Sequence, residues 1–201
     1  IPLLQPRAQS GFPSLGSADT DLRVISAVLG ALKDRGHVRI RIGDGLSSQR
    51  NGPPLNTFSR SRLDRLAHYY GAELLDLSLG PVEEVELPCG PVNVSAYALG
   101  GAVITLPTVS ADLGLGLAGA LAGLLGLVHP TLRPRILKDG GLSLPALAQA
   151  ISPALVIGDC LTILEGRTPP DDLTPFRFER LIASTDTALF DRLVGRLLGV
   201  T

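Results

Sequence analysis

The chain has 201 residues, with 18 Lys and Arg against 19 Asp and Glu, which gives a formal net charge of −1. This balance argues against a nucleic-acid-binding protein, which would concentrate basic residues on one face, and an aromatic content of 4% offers few rings for stacking on bases. At this length we expect one domain over residues 1–201, with a core large enough to fold without disulfides or metals.

The two cysteines bear on cofactors and on location. Cys89 and Cys160 are far apart in the sequence and form no C-x-x-C motif. This spacing disfavours a zinc ribbon, a thioredoxin-like redox motif and an iron–sulfur cluster held by this chain. No basic segment leads into an apolar stretch at the start of the sequence, as a secretory signal would require. We therefore expect a cytoplasmic protein with free thiols.

Taken in chain order, the hydrophobic pattern alternates between strand and helix periods. Apolar residues at helical spacing predict a helix over 20–35 that ends at Gly36, and the alternating sequence VRIRI predicts a strand over 38–42. Residues 1–18 are predicted as extended chain or loop, in which Ile1, Leu3 and Leu4 could form a short edge strand. Further strands are predicted over 72–78, 102–107, 154–159 and 180–185, and further helices over 60–70, 113–128, 144–151 and 187–198. Loops are predicted over 129–142 and 160–176.

This alternation indicates an α/β fold with a largely parallel sheet flanked by helices. The run AVITLP at 102–107 is apolar throughout, as expected of a central strand that is buried on both faces. Residues 82–99 resemble two strands joined by a turn that contains Pro88 and Pro91. Because proline cannot donate to a strand ladder, we expect this hairpin at a sheet edge.

A charge-free, glycine-rich segment spans residues 113–128. It is too short to cross a membrane as a helix, which needs about 20 apolar residues, so a buried core helix is predicted. Each glycine inside a helix costs about 1 kcal/mol relative to alanine. The five glycines therefore require a reason, such as close packing, contact with a ligand, or a helix that is partly broken. Gly119 and Gly123 also leave open a homo-oligomeric interface through this segment.

Acidic residues lie at or just past the ends of three predicted strands. Asp44 lies just past the strand 38–42, Asp159 ends the strand 154–159 and Asp186 follows the strand 180–185, with Glu165 and Gly166 in the loop after Asp159. If the strands are parallel, these carboxylates share the edge where open α/β sheets bind ligands. Such oxygen ligands suit a divalent cation. The sequence therefore predicts a ligand site that also includes Gly45, with Asp44, Asp159 and Asp186 as metal ligands.

Each of these features also has a purely structural interpretation. An aspartate after a strand is a common turn former and helix cap, and Asp186 stands directly before the last predicted helix. Gly114 and Gly116 follow a strand and precede the glycine-rich segment, where backbone N–H groups could hold an anion. That G-x-G pair lacks the full spacing of a dinucleotide-binding motif.

Several segments, taken in chain order, are similar to the motifs of one known family. VRIRIGDG is similar to the family's strand and turn V-x-V-G-[DE]-G, and LVIGDCLTILEG is similar to I-V-D-G-x-x-x-x-E-G. The ending LIASTDTALFDRLVGRLLG resembles L-L-A-G-x-D-P-V-A-L-D and is the most specific match. Together these segments resemble the domain-of-unknown-function 362 family, a prokaryotic group often fused to ferredoxin-like iron–sulfur modules. The resemblance covers nearly the whole chain.

The departures from the family pattern concern its polar residues. Gln5 and Arg7 stand where the family has lysine and asparagine, its K-T-H triplet is replaced around 109–112, and its later K-N pair becomes Ala122-Gly123. The acidic set remains, at Asp44, Asp159, Glu165, Asp186 and Asp191. The resemblance thus implies a divergent member that has lost most cationic partners of its acids.

Three functions stay open from the sequence. The first is a non-catalytic or weakly active binding domain for a small molecule or divalent cation at the strand-end acids. The second is a metal-dependent or redox-linked enzyme that uses the same acids, with an iron–sulfur module supplied by a partner protein. The third is a homo-oligomeric interaction protein. The sequence predicts no nucleic-acid and no membrane partner.

Overall fold

The computed structural model describes residues 1–6, 19–45, 58–59, 61–112, 116–139, 141–165 and 174–200. Its strands are β1 (Leu3–Pro6), β2 (Arg41–Asp44), β3 (Glu73–Asp76), β4 (Val82–Leu87), β5 (Gly90–Ser95), β6 (Val103–Leu106), β7 (Ser110–Asp112), β8 (Gly116–Ala118), β9 (Leu155–Glu165) and β10 (Thr174–Ser184). Six of these form one sheet in the order β10-β9-β6-β1-β2-β3. All neighbours in it are parallel except β9 and β10.

The described residues also form seven α-helices and two short 3-10 helices. They are α1 (Leu22–Asp34), α2 (Leu63–Tyr70), α3 (Ala96–Leu99), α4 (Ala120–Gly123), α5 (Arg133–Lys138), α6 (Ser143–Ile151) and α7 (Thr187–Leu197), with the 3-10 helices at Leu124–Leu127 and Pro130–Leu132. The predicted α/β fold, with a largely parallel sheet flanked by helices, is confirmed. No helix in the described part of the chain combines the length and apolarity needed to cross a membrane.

The sheet buries apolar side chains on both faces. On one face, Leu4 and Ile42 pack with Ile25 and Leu29 of α1. The opposite face packs against the second half of the glycine-rich segment and against α5 and α6, in a cluster that includes Leu3, Val103, Leu124, Leu127, Ile136 and Leu147. Near the β9–β10 end of the sheet, α7 inserts Phe190 against Val156 and Cys160. The hydrophobic effect on both faces holds the strand ends in fixed positions.

β1 is an interior strand, so the predicted edge position is wrong. It pairs with β2 on one side and with β6 on the other. Leu3 and Leu4 are both fully buried. A strand covered on both faces carries no polar alternation, and a four-residue run offers too little sequence to distinguish it from an edge.

Within the predicted loop over 160–176, the described residues 160–165 and 174–176 are strand. β9 continues to Glu165 and β10 begins at Thr174, and the two pair antiparallel along their length. The register shifts between Arg177 and Arg180, where Glu179 has a φ of 55°. The last strand therefore runs antiparallel to β9. Its carboxyl end lies at the edge of the sheet opposite to the carboxyl ends of the other strands.

The glycine-rich segment is not one helix. Residues 110–112 and 116–118 pair as the β7–β8 hairpin, and only the short α4 and the 3-10 helix at Leu124–Leu127 follow. The helical cost of glycine explains the break.

Two other predicted segments differ from the structure. The predicted loop over 129–142 contains α5. The hairpin of β4 and β5 forms its own two-stranded sheet.

Candidate functional site

Three neighbouring strands bring polar side chains to the same rim of the sheet. β1, β2 and β3 are parallel, so their carboxyl ends lie side by side. Gln5 is the third residue of β1, and Asp44 and Asp76, the last residues of β2 and β3, are direct register partners. Ligands of open α/β sheets bind beyond this edge. We call Gln5, Asp44, Asp76, Arg133 and the main chain of Gly126 the rim site.

The glycine-rich segment closes over this rim. The Gln5 Nε2 group donates a hydrogen bond to the Gly123 carbonyl at 2.7 Å. Asp44 is 1% exposed, and its Oδ1 accepts from the Gly45 N–H at 2.9 Å. A Cβ on Gly126 would lie 2.7 Å from Gln5 Nε2 and would collide with Asp44 Oδ1. Only a residue without a side chain permits this approach.

Arg133 places a guanidinium group at the rim site. Its Nη2 donates to the Gly45 carbonyl at 2.7 Å, and its Nε donates to the Val128 carbonyl at 3.1 Å. Burial lowers the pKa of Arg133, and the charges of Asp44 and Asp76 oppose that shift. The sequence predicted that the acids had lost most of their cationic partners. At the rim site this prediction is wrong, because Arg133 at the start of α5 supplies a cation near Asp44 and Asp76.

Two acceptor atoms at the rim site lack a donor among the described residues. The Gln5 side chain is 4% exposed and its Oε1 is buried without a partner. Asp76 Oδ1 accepts from the N–H and the hydroxyl of Ser78 at 2.9 and 2.5 Å, whereas its Oδ2 is buried without a partner. A buried acceptor without a donor costs free energy. A bound cation or hydrogen-bond donor would remove that cost.

Asp159 lies at the same edge of the sheet but belongs to a different environment. It lies within β9, where its Oδ2 accepts from the Asp21 N–H at 2.7 Å and its Oδ1 from the Leu161 N–H at 3.1 Å. Burial raises the pKa of Asp159 above 3.8, and these two hydrogen bonds oppose the rise. Three strand spacings, about 14 Å, separate β9 from β2. Asp159 thus ties β9 to the start of α1.

Asp186 lies at the opposite edge of the sheet. Ser184 pairs with Val156 near the start of β9, because β10 runs antiparallel. The Asp186 side chain accepts from the Leu189 N–H at 2.8 Å and caps α7. No three His, Cys, Asp or Glu side chains of the described residues converge on a metal position. The predicted metal site of Asp44, Asp159 and Asp186 is therefore wrong as a single cluster.

The remaining predicted site residues are dispersed. Glu165 ends β9, six residues and roughly 20 Å beyond Asp159. Gly116 begins β8 with a φ of 75° and does not open a helix. Gly114 and Gly166 lie outside the described residues. Because Gly116 begins a strand, no long helix starts there, and the anion site predicted at the start of that helix does not form.

Sequence reasoning missed Asp76 and Arg133, and noted Gln5 only as a replaced lysine. Asp76 lies inside the predicted strand 72–78, and it reaches the rim only because β3 ends there in the structure. Arg133 falls in a segment predicted as loop, where nothing distinguishes it from the other arginines.

Asp191, one of the acids that the resemblance singled out, accepts from the N–H groups of Ala120 and Leu121 at 2.6 and 3.0 Å. It therefore caps α4.

Comparison with known proteins agrees with this fold. A lactate racemase apoprotein from Thermoanaerobacterium thermosaccharolyticum superposes with a TM-score of 0.60 at 11% identity, over 98% of this chain and 48% of that one. A Thermotoga maritima protein solved by structural genomics gives 0.55 at 10% identity, over 98% and 53%. This chain thus spans about half of each, and such low identities show the fold alone.

Among curated proteins no match was found. A family model, the domain of unknown function DUF362, matches residues 4–195. That match covers almost the whole chain and agrees with the resemblance of the strand-turn motifs. The chain therefore belongs to the DUF362 family.

Proposed function

We propose that this chain is a non-catalytic or weakly active binding domain whose ligand occupies the rim site. The ligand is a divalent cation or a small molecule that presents hydrogen-bond donors. The observation that carries the proposal is the pair of buried acceptors without a donor, Gln5 Oε1 and Asp76 Oδ2. Native proteins pair nearly all buried polar atoms, so two exceptions at one rim favour a ligand there.

The charge of the rim site supports this choice of ligand. Asp44 and Asp76 bring two carboxylates, and Arg133 brings one guanidinium group that already donates to two backbone carbonyls. The excess is negative, which favours a cation or a neutral donor over an anion. Oxygen atoms from carboxylates and amides are the ligands that hard divalent cations prefer.

The replacement of Lys by Gln5 supports the same conclusion. A lysine at this position would hold an anion by a charge-assisted hydrogen bond worth about 1.5–3 kcal/mol. Gln5 offers an acceptor instead, with its donor already used on Gly123. A lysine at position 5 would favour an anionic ligand, whereas Gln5 favours a cation or a neutral hydrogen-bond donor.

Elemental analysis of the purified chain, followed by calorimetric titration with Mg²⁺, Mn²⁺ and Ni²⁺, tests the proposal. A thermal-shift series with small polyols and amines covers the neutral and cationic organic ligands. We expect saturable binding by one of these probes, weakened at least about tenfold by Asp76→Asn and by Gln5→Leu, since each removes one acceptor.

Glu83→Gln provides the matched control, because Glu83 is an exposed carboxylate on β4, away from the rim site. This variant removes one negative charge and should bind as the parent does. If no probe binds, or if Glu83→Gln weakens binding as much as Asp76→Asn does, the rim site is not the ligand site.

A further inference from the structure

A shallow groove runs between α1 and α2 on the face of the sheet opposite the glycine-rich segment. Its volume is 670 Å³. Ala27, Gly30 and Ala31 of α1 form its floor, and Leu66 and Tyr70 of α2 form one wall. Ala27 and Ala31 are exposed. Because these side chains are small, another helix could approach α1 at the short end of the usual 8–10 Å axial distance.

Opposite charges mark the two ends of this helix face. Arg23 stands in the first turn with 80% of its side chain exposed, and it uses Nε and Nη2 to bind Asp21. Its Nη1 has no hydrogen-bond partner in the described part of the chain. Asp34 is exposed at the end of α1 and forms no ion pair with the described residues. The face therefore presents the Nη1 edge of a guanidinium group that is already paired with Asp21 at one end, and the Asp34 carboxylate at the other.

The spacing of these residues is self-complementary. Positions 23, 27, 30 and 34 follow the alternating intervals of four and three residues that form a coiled-coil seam. In an antiparallel pair of α1 helices centred between Val28 and Leu29, Arg23 lies opposite Asp34 of the second copy. Ala27 then lies opposite Gly30 of the second copy, so small residues meet where the backbones are closest.

We propose that α1 is a homodimer interface, in which two copies of this chain pack their α1 helices antiparallel about a two-fold axis. Two reciprocal Arg23–Asp34 ion pairs fix the register, and Ala27, Gly30 and Ala31 form the contact between them. A two-fold axis uses the same patch on both copies, as self-complementarity requires. This surface is separate from the rim site.

The expected association is weak. One pair of helices buries less area than a standard stable interface. Exposed ion pairs contribute orientation more than affinity. Self-association therefore should depend on concentration, with monomer and dimer both populated.

Sedimentation equilibrium of the full chain over about a hundredfold concentration range tests the proposal, since mass action moves the equilibrium across that range. Asp34→Arg should raise the dimer dissociation constant about tenfold or more, because Arg23 then faces a like charge. Arg23→Asp should do the same. The double variant with both changes should return the constant to within about threefold of the parent, because the ion pairs are restored with reversed polarity.

These variants should fold, because an acid in the first turn and a base in the last turn suit the helix dipole. Leu193→Asp is the control; Leu193 belongs to another exposed apolar helix face, on α7. A chain that stays monomeric at the highest concentration overturns the proposal. So does a dimer that Leu193→Asp abolishes while Asp34→Arg leaves it intact, or a double variant that fails to restore association.

Discussion

Gly126 shows how one missing side chain shapes the rim site. Replacement by alanine would place a Cβ 2.7 Å from Gln5 Nε2 and into collision with Asp44 Oδ1. Both of those side chains are almost fully buried and cannot move aside freely. We expect Gly126→Ala to lower the free energy of unfolding by about 1–3 kcal/mol, as overpacking does, measured by urea denaturation.

Gly123→Ala is the matched control in the same segment. Among the described residues, a Cβ there would meet only the Pro107 side chain, at 3.6 Å, and the backbone of Gly123 is already helical. Alanine should therefore be neutral or stabilising by up to about 1 kcal/mol. If both variants lose stability equally, the segment as a whole is intolerant and the close approach at Gly126 has no special role.

At the level of single residues, the rim site was only partly predictable. Asp44 follows from the rule that side chains at the ends of parallel strands share an edge, whereas Asp76 lies inside its predicted strand and reaches the rim only because β3 ends there. Gln5 and Arg133 do not follow, because their roles depend on how distant segments pack. Gly126 is buried against side chains from β1 and β2, a contact that spans more than 80 residues of sequence and leaves no local signal.

At the level of elements, Asp186 belongs to the helix that it precedes. Its side chain accepts from Leu189 N–H, so Asp186→Ala should lower the free energy of unfolding by about 1 kcal/mol. Asp186→Ser should recover most of that loss, because serine is also a good N-cap. Urea denaturation measures both changes. Neither variant should alter ligand affinity at the rim site, and a calorimetric loss of affinity in Asp186→Ser would argue against a purely capping role.

The elements with strong local signals were predicted well. α1, α7 and β6 appear within a few residues of their expected positions, because amphipathic spacing and helix stops are local properties. The glycine-rich segment was not, since hydropathy alone cannot separate a helix from a hairpin followed by short helical turns. Its course depends on tertiary contacts such as the cap that Asp191 provides to α4.

At the level of the whole molecule, strand direction decides which acids meet. The α/β class follows from the alternation of elements, but the direction of the last strand does not. A long connection permits either a parallel crossover or a hairpin, and β9 with β10 forms a hairpin. This reversal moves Asp186 to the opposite edge from Asp44. The three strand spacings between β9 and β2 separate Asp159 from Asp44 as well, so the predicted three-aspartate metal site does not form.

The buried aspartates should give the molecule an unusual dependence of stability on pH. Burial raises the pKa of both Asp159 and Asp191 above 3.8, so the folded state holds these protons to higher pH than the unfolded state does. Their contribution to stability is complete below pH 3.8 and is lost as the pH rises through the folded pKa values. Asp21 acts in the opposite sense, because its hydrogen bond from Arg23 lowers its pKa, and its contribution is lost only as the pH falls below 3.8.

We therefore expect the free energy of unfolding to decline as the pH rises from about 4 through the folded pKa values of these two aspartates, at no more than about 1.4 kcal/mol per pH unit for each. Urea denaturation at a series of pH values measures this slope. Asp191→Asn should make the slope shallower, because one titrating group is removed. A stability that rises over the same range, or a slope that Asp191→Asn does not alter, would mean that the hydrogen bonds from Ala120 and Leu121 outweigh the burial of this carboxylate.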